Sequence, residues 1–193
     1  MGRASGRLGD PLAPGFVAAM PQLGDPNFRR AVVLLLRHSE EGAFGLVVNR
    51  RGPMSMDELC RREGFEYNGP PEGTLMIGGP VQVDGSLVVL HGEKVDEDEP
   101  RGDLRVAPGI YVVTDRARFA ALAQSGARRL RCFAGYSGWG PGQIERELEE
   151  GAWAALPADP AFIFDVDPDD AWRSALHAAG IDPATLTPGV GLN

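Results

Sequence analysis

Cysteine is scarce: the 193-residue chain has two, Cys60 and Cys132. Two cysteines build no disulfide framework, and their separation matches no zinc-ligand spacing, which points to a reducing compartment. Each reads most simply as a small buried residue. Long apolar runs are missing as well. The longest, Ala31 to Leu36, is far short of the roughly 20 residues that a membrane helix requires. The first residues lack the charged, apolar and small-residue order of a secretory signal, so a cytoplasmic protein without membrane attachment is expected. An excess of positive charge is also absent: 19 Lys plus Arg stand against 27 Asp plus Glu, a formal charge of -8. Such a surface on average repels phosphate and anionic lipid, and nucleic-acid binding would need a segregated basic patch.

Signatures of cofactor and nucleophile chemistry are equally sparse. The glycine-rich stretch Gly135 to Gly142 lacks the Lys-Ser/Thr ending of a P-loop and does not fit Gly-x-Gly-x-x-Gly. No Gly-x-Ser-x-Gly elbow is present. No cofactor is therefore expected.

What is present is ordinary globular composition, 43% hydrophobic and 24% charged, enough for one core without a metal or disulfide staple. The Gly- and Arg-rich residues 1–11 have no apolar period and read as a flexible N-terminus, so the domain is placed at 12–193. Short β-type runs fall at Pro14 to Ala19, Arg30 to Leu36, Phe44 to Val48, Thr74 to Ile77, Leu87 to Leu90, Ile110 to Val113 and Leu130 to Ala134. The second and third flank Ser39-Glu40-Glu41-Gly42, a hairpin length, and their continuous apolarity suits strands buried on both faces. Ser55 and Glu58 have capping-box spacing before a short helix ending near Gly64. Asp115 can cap a helix that presents Phe119, Leu122 and Ala123 on one face and stops at Gly126. A last helix near Asp169 to Ala179 aligns Ala171, Trp172, Ala175, Leu176 and Ala179 and stops at Gly180. The acidic stretch from Glu93 to Asp103 reads as a solvated loop. Strands come in adjacent runs first and mix with helices later, which favours α+β with a curled, partly antiparallel sheet over a doubly wound parallel one.

Several segments recur together in a known order: Pro21 to Phe28, His38 through Gly45 to Asn49, Gly78-Gly79-Pro80-Val81, Leu90-His91, and Gly135-Tyr136-Ser137-Gly138-Trp139 on to Glu147. On these the chain resembles the YqgE/AlgH family of bacterial proteins from about residue 12 to 190. The resemblance implies a bacterial cytosolic protein and a single compact α+β domain, with a bifurcated sheet rolled into a pseudo-barrel and packed by helices. It supplies no agreed molecular activity, catalytic residue or cofactor, although some members are named as regulators of alginate gene transcription.

Candidate site residues follow from strand ends and from the glycine loop. His38, Asn49 and His91 each end an apolar strand, so pairing in one sheet would gather them at a rim able to take a small polar ligand. Gly79, Gly138, Trp139 and Gln143 complete the candidate ligand-binding set. Two His without a placed third ligand make a poor metal site. Gln143 falls three residues after Gly140 and can return its amide to that backbone as a cap. Cys132 with His38 or His91 and Asn49 is the alternative, a thiol nucleophile with a base and an orienting group. Arg128, Arg129 and Arg131 are the densest basic cluster; with Arg50, Arg51, Arg61 and Arg62 they could form a phosphate-binding face, and a solvated, charged strand edge explains them equally well. The expected function is a non-enzymatic regulatory or binding domain for a small polar ligand or a protein partner. Specific DNA binding is disfavoured, so any transcriptional effect would be indirect.

Overall fold

A computed structural model describes residues 12–93 and 103–185. The N-terminal residues 1–11, most of the acidic stretch (94–102) and the end of the tail lie outside them. In chain order the strands and helices are β1 (Gly15–Ala19), β2 (Val32–Ser39), β3 (Gly42–Val47), β4 (Arg51–Ser55), α1 (Met56–Arg62), β5 (Thr74–Ile77), β6 (Leu87–His91), β7 (Asp103–Ala107), β8 (Ile110–Val113), α2 (Arg116–Gln124), β9 (Leu130–Ala134), β10 (Ser137–Trp139), α3 (Gln143–Glu149), β11 (Trp153–Pro157), α4 (Ala161–Phe164) and α5 (Pro168–Ala178).

The strands form two sheets. One is antiparallel with order β10-β3-β2-β1-β11; the other has order β4-β5-β9-β6-β8-β7 and is parallel only at β5 and β9. The bifurcated sheet thus takes the form of two ladders, neither of which closes into a barrel. They are stitched where Val47 N–H donates to Gly78 O at 2.7 Å and where Val81 and Tyr136 bridge. At that seam Gly79 holds φ 155°, and a Cβ there would run into the Tyr136 carbonyl and the Ser137 hydroxyl. Only glycine permits so close a backbone approach.

Three apolar layers result. Phe16, Leu34, Leu46, Leu90 and Phe133 meet between the sheets and are covered by Ile163, Phe164, Ala175 and Leu176 of α4 and α5. Cys60, Val89, Phe119, Leu122 and Cys132 pack α1 and α2 on the outer face of the mixed sheet. Val33, Leu35, Val47 and Trp139 pack with Ile144 of α3 on the outer face of the antiparallel sheet. Side chains alternate across a strand, so β2 sends Val32 and Leu34 inward and Val33 and Leu35 outward. Both faces are buried, which explains its unbroken apolar run.

The expected caps form. Ser55 Oγ accepts from Glu58 N–H at 3.1 Å, and Asp115 Oδ1 accepts from Ala117 and Arg118 N–H at 2.7 and 3.1 Å. Asp103 departs from the solvated-loop expectation. It begins β7 with its side chain 1% exposed, because the Arg118 guanidinium takes both carboxylate oxygens, at 2.9 and 3.2 Å. Arg131 departs too: β9 is a central strand, not an edge.

Candidate functional site

The loop entering α3 is built around Glu147. Its Oε2 accepts from the indole N–H groups of Trp139 at 3.0 Å and Trp153 at 2.8 Å, and its Oε1 accepts from the Gln143 amide at 2.8 Å. Gln143 Oε1 in turn accepts from Gly140 N–H at 3.0 Å, but α3 is capped by Gly142, not Gly140, so this bond ties the preceding turn and is not the capping box that the spacing suggests. Phe28 stacks on Trp139 with centroids 5.7 Å apart and meets Trp153 edge-on. Trp139 is only 5% exposed. Trp139 and Gln143 are thereby committed to a structural clamp, and Gly138 is the exposed residue between the two buried ends of β10.

The three strand-end residues have separate partners. His38 Nδ1 accepts from Leu12 N–H at 3.1 Å, so the neutral ring carries its proton on Nε2, which faces Glu145 Oε1 at 2.7 Å. The Glu145 carboxyl sits below the usual carboxylate range through its own backbone N–H and then through His38. Asn49 accepts from Val32 N–H at 2.9 Å and donates to Arg30 O at 2.9 Å, clamping the start of β2. His91 is fully buried on the other sheet and stacked on Tyr111 with centroids 5.2 Å apart. Its Nε2 lies 3.2 Å from Asp103 but out of line for a hydrogen bond, and neither ring nitrogen has such a partner among the described residues. Burial pushes its pKa below the ordinary 6.5. Asp103 pulls the other way, but Arg118 already neutralises that carboxylate, so desolvation wins.

Cys132 is fully buried, and desolvation holds its thiol well above the ordinary value; burial pushes Cys60 up to about 11. His91 lies diagonally from Cys132 across the β6–β9 ladder, yet no hydrogen bond joins imidazole to thiol. The basic cluster is largely spent internally. Arg129 pairs with Asp165, and the Arg131 guanidinium donates to the carbonyls of Arg128, Leu130 and Phe164.

An open, arginine-bordered concavity lies elsewhere, between the β1–β2 connection and α5. It has two adjoining lobes, of about 440 and 220 Å³, which share Arg29, Arg30, Trp172 and Arg173. Its construction is local. Ala171, Ala175 and Leu176 bury the inner stripe of α5 and leave Trp172 and Arg173 at its rim. Trp172 is anchored by its indole N–H to Ala19 O at 2.6 Å. Arg30 adopts φ 54°, a left-handed conformation that costs any residue with a Cβ free energy. The two Asn49 hydrogen bonds span this kink, and the Arg30 guanidinium lies over the Trp172 ring, 5.3 Å from its centroid. Arg50 donates to Asn27 O at 2.7 Å and completes the smaller lobe. Among the described residues neither Arg29 nor Arg173 pairs with a carboxylate. Of the acidic rim residues, Asp169 pairs with Arg51 at 3.2 Å, and Asp182 accepts from Ala184 N–H at 2.9 Å and lies 3.9 Å from His177.

Of the sequence-derived candidates, Asn49 lines this cleft; His38, Gly79, His91, Gly138, Trp139 and Gln143 line neither lobe. No sequence spacing joins Arg29, Arg30, Arg50, Trp172 and Arg173 into one set. The available signal was the Arg29-Arg30 pair in a Pro- and Asn-rich turn, together with a large aromatic on the last helix. No group of three or more His, Cys, Asp or Glu suited to a metal ion occurs among the described residues, and no helix there is long and apolar enough to cross a membrane.

Comparison with known proteins extends these observations. A family model described as AlgH-like matches residues 16–184. A UPF0301 protein of Myxococcus xanthus is 40% identical over 183 residues, 94% of this chain and 98% of the relative. One of Streptomyces coelicolor is 43% identical over 168 residues, 86% of each. The solution structure of the AlgH protein from Pseudomonas aeruginosa, 31% identical, matches with a TM-score of 0.68 over the whole of both chains. A crystal structure of a Corynebacterium diphtheriae protein, 27% identical, gives 0.71 over 87% of each. Similarity in sequence along most of its length, together with the shared α+β fold, makes this chain a member of the AlgH-like family.

Proposed function

We propose that the chain is a binding domain rather than a catalyst, and that its ligand is a small anion held in the cleft between the β1–β2 connection and α5. One observation carries the reading: Arg29, Arg30, Arg50 and Arg173 converge on one concavity of a protein whose formal charge is -8. Unpaired like charges repel, so such a gathering on an acidic protein is held at a cost unless an anion offsets it. Arginine's planar fork also matches phosphate and carboxylate geometry. The groups that catalysis would recruit support the same reading. His38 is engaged at both nitrogens, and the Cys132 thiol is raised by burial. Duplex DNA fits poorly, because Arg129 and Arg131 are turned to internal partners and the net charge opposes phosphate at long range.

The test is calorimetric titration with inorganic phosphate at constant ionic strength, against chloride. Binding should weaken by about tenfold or more in the exposed pair Arg29→Ala, Arg173→Ala, since each removes a charge-assisted contact. Undiminished binding in that pair, or no binding by the native chain, overturns the reading.

A further inference from the structure

We infer that the cleft takes an organic phosphate, with a dianionic phosphate group in the smaller lobe and an apolar or aromatic body in the larger. The inference rests on the anion reading of the same cleft and names the class of ligand. Its first support is the unlike lining of the lobes. The smaller is closed by Asn49, Arg50 and Asp169, whereas the larger is walled by Met20, Pro21, Leu23 and Pro183, with His177 and Asp182 also lining it. Water gains little from wetting such an apolar wall, and a ligand body that covers it removes apolar surface from solvent.

The second support is continuity. Arg29, Arg30, Trp172 and Arg173 line both lobes, so the lobes adjoin across these four side chains and a ligand in one meets residues of the other. The volumes agree: about 440 Å³ lies within the usual range for a small organic molecule, while 220 Å³ is below it and suits a head group.

Charge selects phosphate ester over carboxylate. Four arginines border the smaller lobe, and the carboxylate there, Asp169, is already bound to Arg51. A phosphate monoester carries roughly -1.5 to -2 at neutral pH and three acceptor oxygens, against one charge and two oxygens for a carboxylate. The larger excess of donors is better used by the former.

The strained backbone at Arg30 gives the third support. Left-handed conformations of non-glycine residues persist where the surroundings over-determine them, and they concentrate at binding sites. Here Asn49 does so with two hydrogen bonds, and the result is a guanidinium on the Trp172 ring at the junction of the lobes. From there it can meet an anion on one side while the indole borders the apolar lobe on the other.

The experiment uses the full chain labelled with nitrogen-15 and follows the Trp172 indole N–H resonance, identified by its loss in Trp172→Phe. Inorganic phosphate, phenyl phosphate and benzoate are titrated at constant ionic strength. Phenyl phosphate should bind about tenfold tighter than either of the others, from burial of its ring and from its second charge. Leu23→Gln should remove most of its advantage over inorganic phosphate, and Arg173→Glu should weaken both phosphate probes. If Leu23→Gln perturbs the spectrum globally, Ala184→Gln in the same lobe replaces it. Phenyl phosphate no tighter than inorganic phosphate, with Arg173→Glu still weakening both, overturns the organic body and leaves the anion reading standing. Benzoate as tight as phenyl phosphate overturns the choice of phosphate. Absence of binding by any probe overturns the anion reading itself.

Discussion

Replacing Glu147 by Gln should destabilise the protein far more than a surface substitution, for reasons that can be worked through atom by atom. The carboxylate serves three donors: two indole N–H groups through Oε2 and the Gln143 amide through Oε1. After Glu147→Gln the remaining carbonyl oxygen can still face both indoles, but its amide nitrogen then faces the Gln143 amide nitrogen, donor against donor. One hydrogen bond to a charged group is lost, worth about 1.5–3 kcal/mol, and two others lose their charge assistance. Partial solvation of Glu147 argues for the lower part of the sum, about 2 kcal/mol. In a domain of this size that lowers the melting temperature by about 4–8 °C. Glu147→Ala should cost more, about 3–4 kcal/mol, because it leaves the N–H groups of Trp139 and Trp153 buried without an acceptor. Urea denaturation followed by tryptophan fluorescence, with near-ultraviolet circular dichroism as a reporter of indole packing, measures both. A Glu147→Gln variant within about 0.5 kcal/mol of the parent, with unchanged near-ultraviolet spectrum, would refute the clamp.

Other consequences are open to direct measurement. His91 has a folded pKa below its unfolded value of 6.5, so its contribution to stability is complete above pH 6.5 and declines as pH falls toward the folded pKa. His91→Phe, which keeps the stack on Tyr111, should therefore flatten the stability profile below pH 6.5; an imidazole that titrates above 6.5 by NMR contradicts this. Native Cys132 should react with a thiol reagent only as fast as the protein opens, and labelling within seconds near neutral pH would reopen thiol chemistry. Asn49→Ala should cost about 1–2 kcal/mol through two lost hydrogen bonds and loosen the Arg30 kink, read as altered amide shifts at residues 29–32; shifts that do not move would separate Asn49 from the cleft.

Much of the fold was legible because local chemistry and tertiary context agree. The apolar runs of β2 and β3 are buried on both faces as their composition implies, and Ser55 and Asp115 cap the helices that they precede. Elements without an apolar run escaped. β4 contains Gly52 and Pro53 and survives as an edge strand, where a missing N–H is tolerated. β10 has three residues, and β11 has two alanines in five, so neither shows a period. Asp103 looked like one more loop acid, since the partners that bury it, His91 and Arg118, lie 12 and 15 residues away in sequence. The cleft was hidden for the same reason. Arg29 and Arg30 are in a turn, Arg50 follows β3 and Arg173 is on α5, and only packing of that helix beside the β1–β2 connection joins them. Asn49 was legible as a polar strand end, but its hydrogen bonds are to a backbone kink that no spacing announces.

The measurement that bears most directly on the proposed function is the location of phosphate on the protein. Amide and indole chemical-shift mapping during a phosphate titration at constant ionic strength should place the largest changes at Arg29, Arg30, Trp172 and Arg173, saturating with one midpoint. Changes that are small and linear in concentration, or centred on any other face of the molecule, would contradict the account.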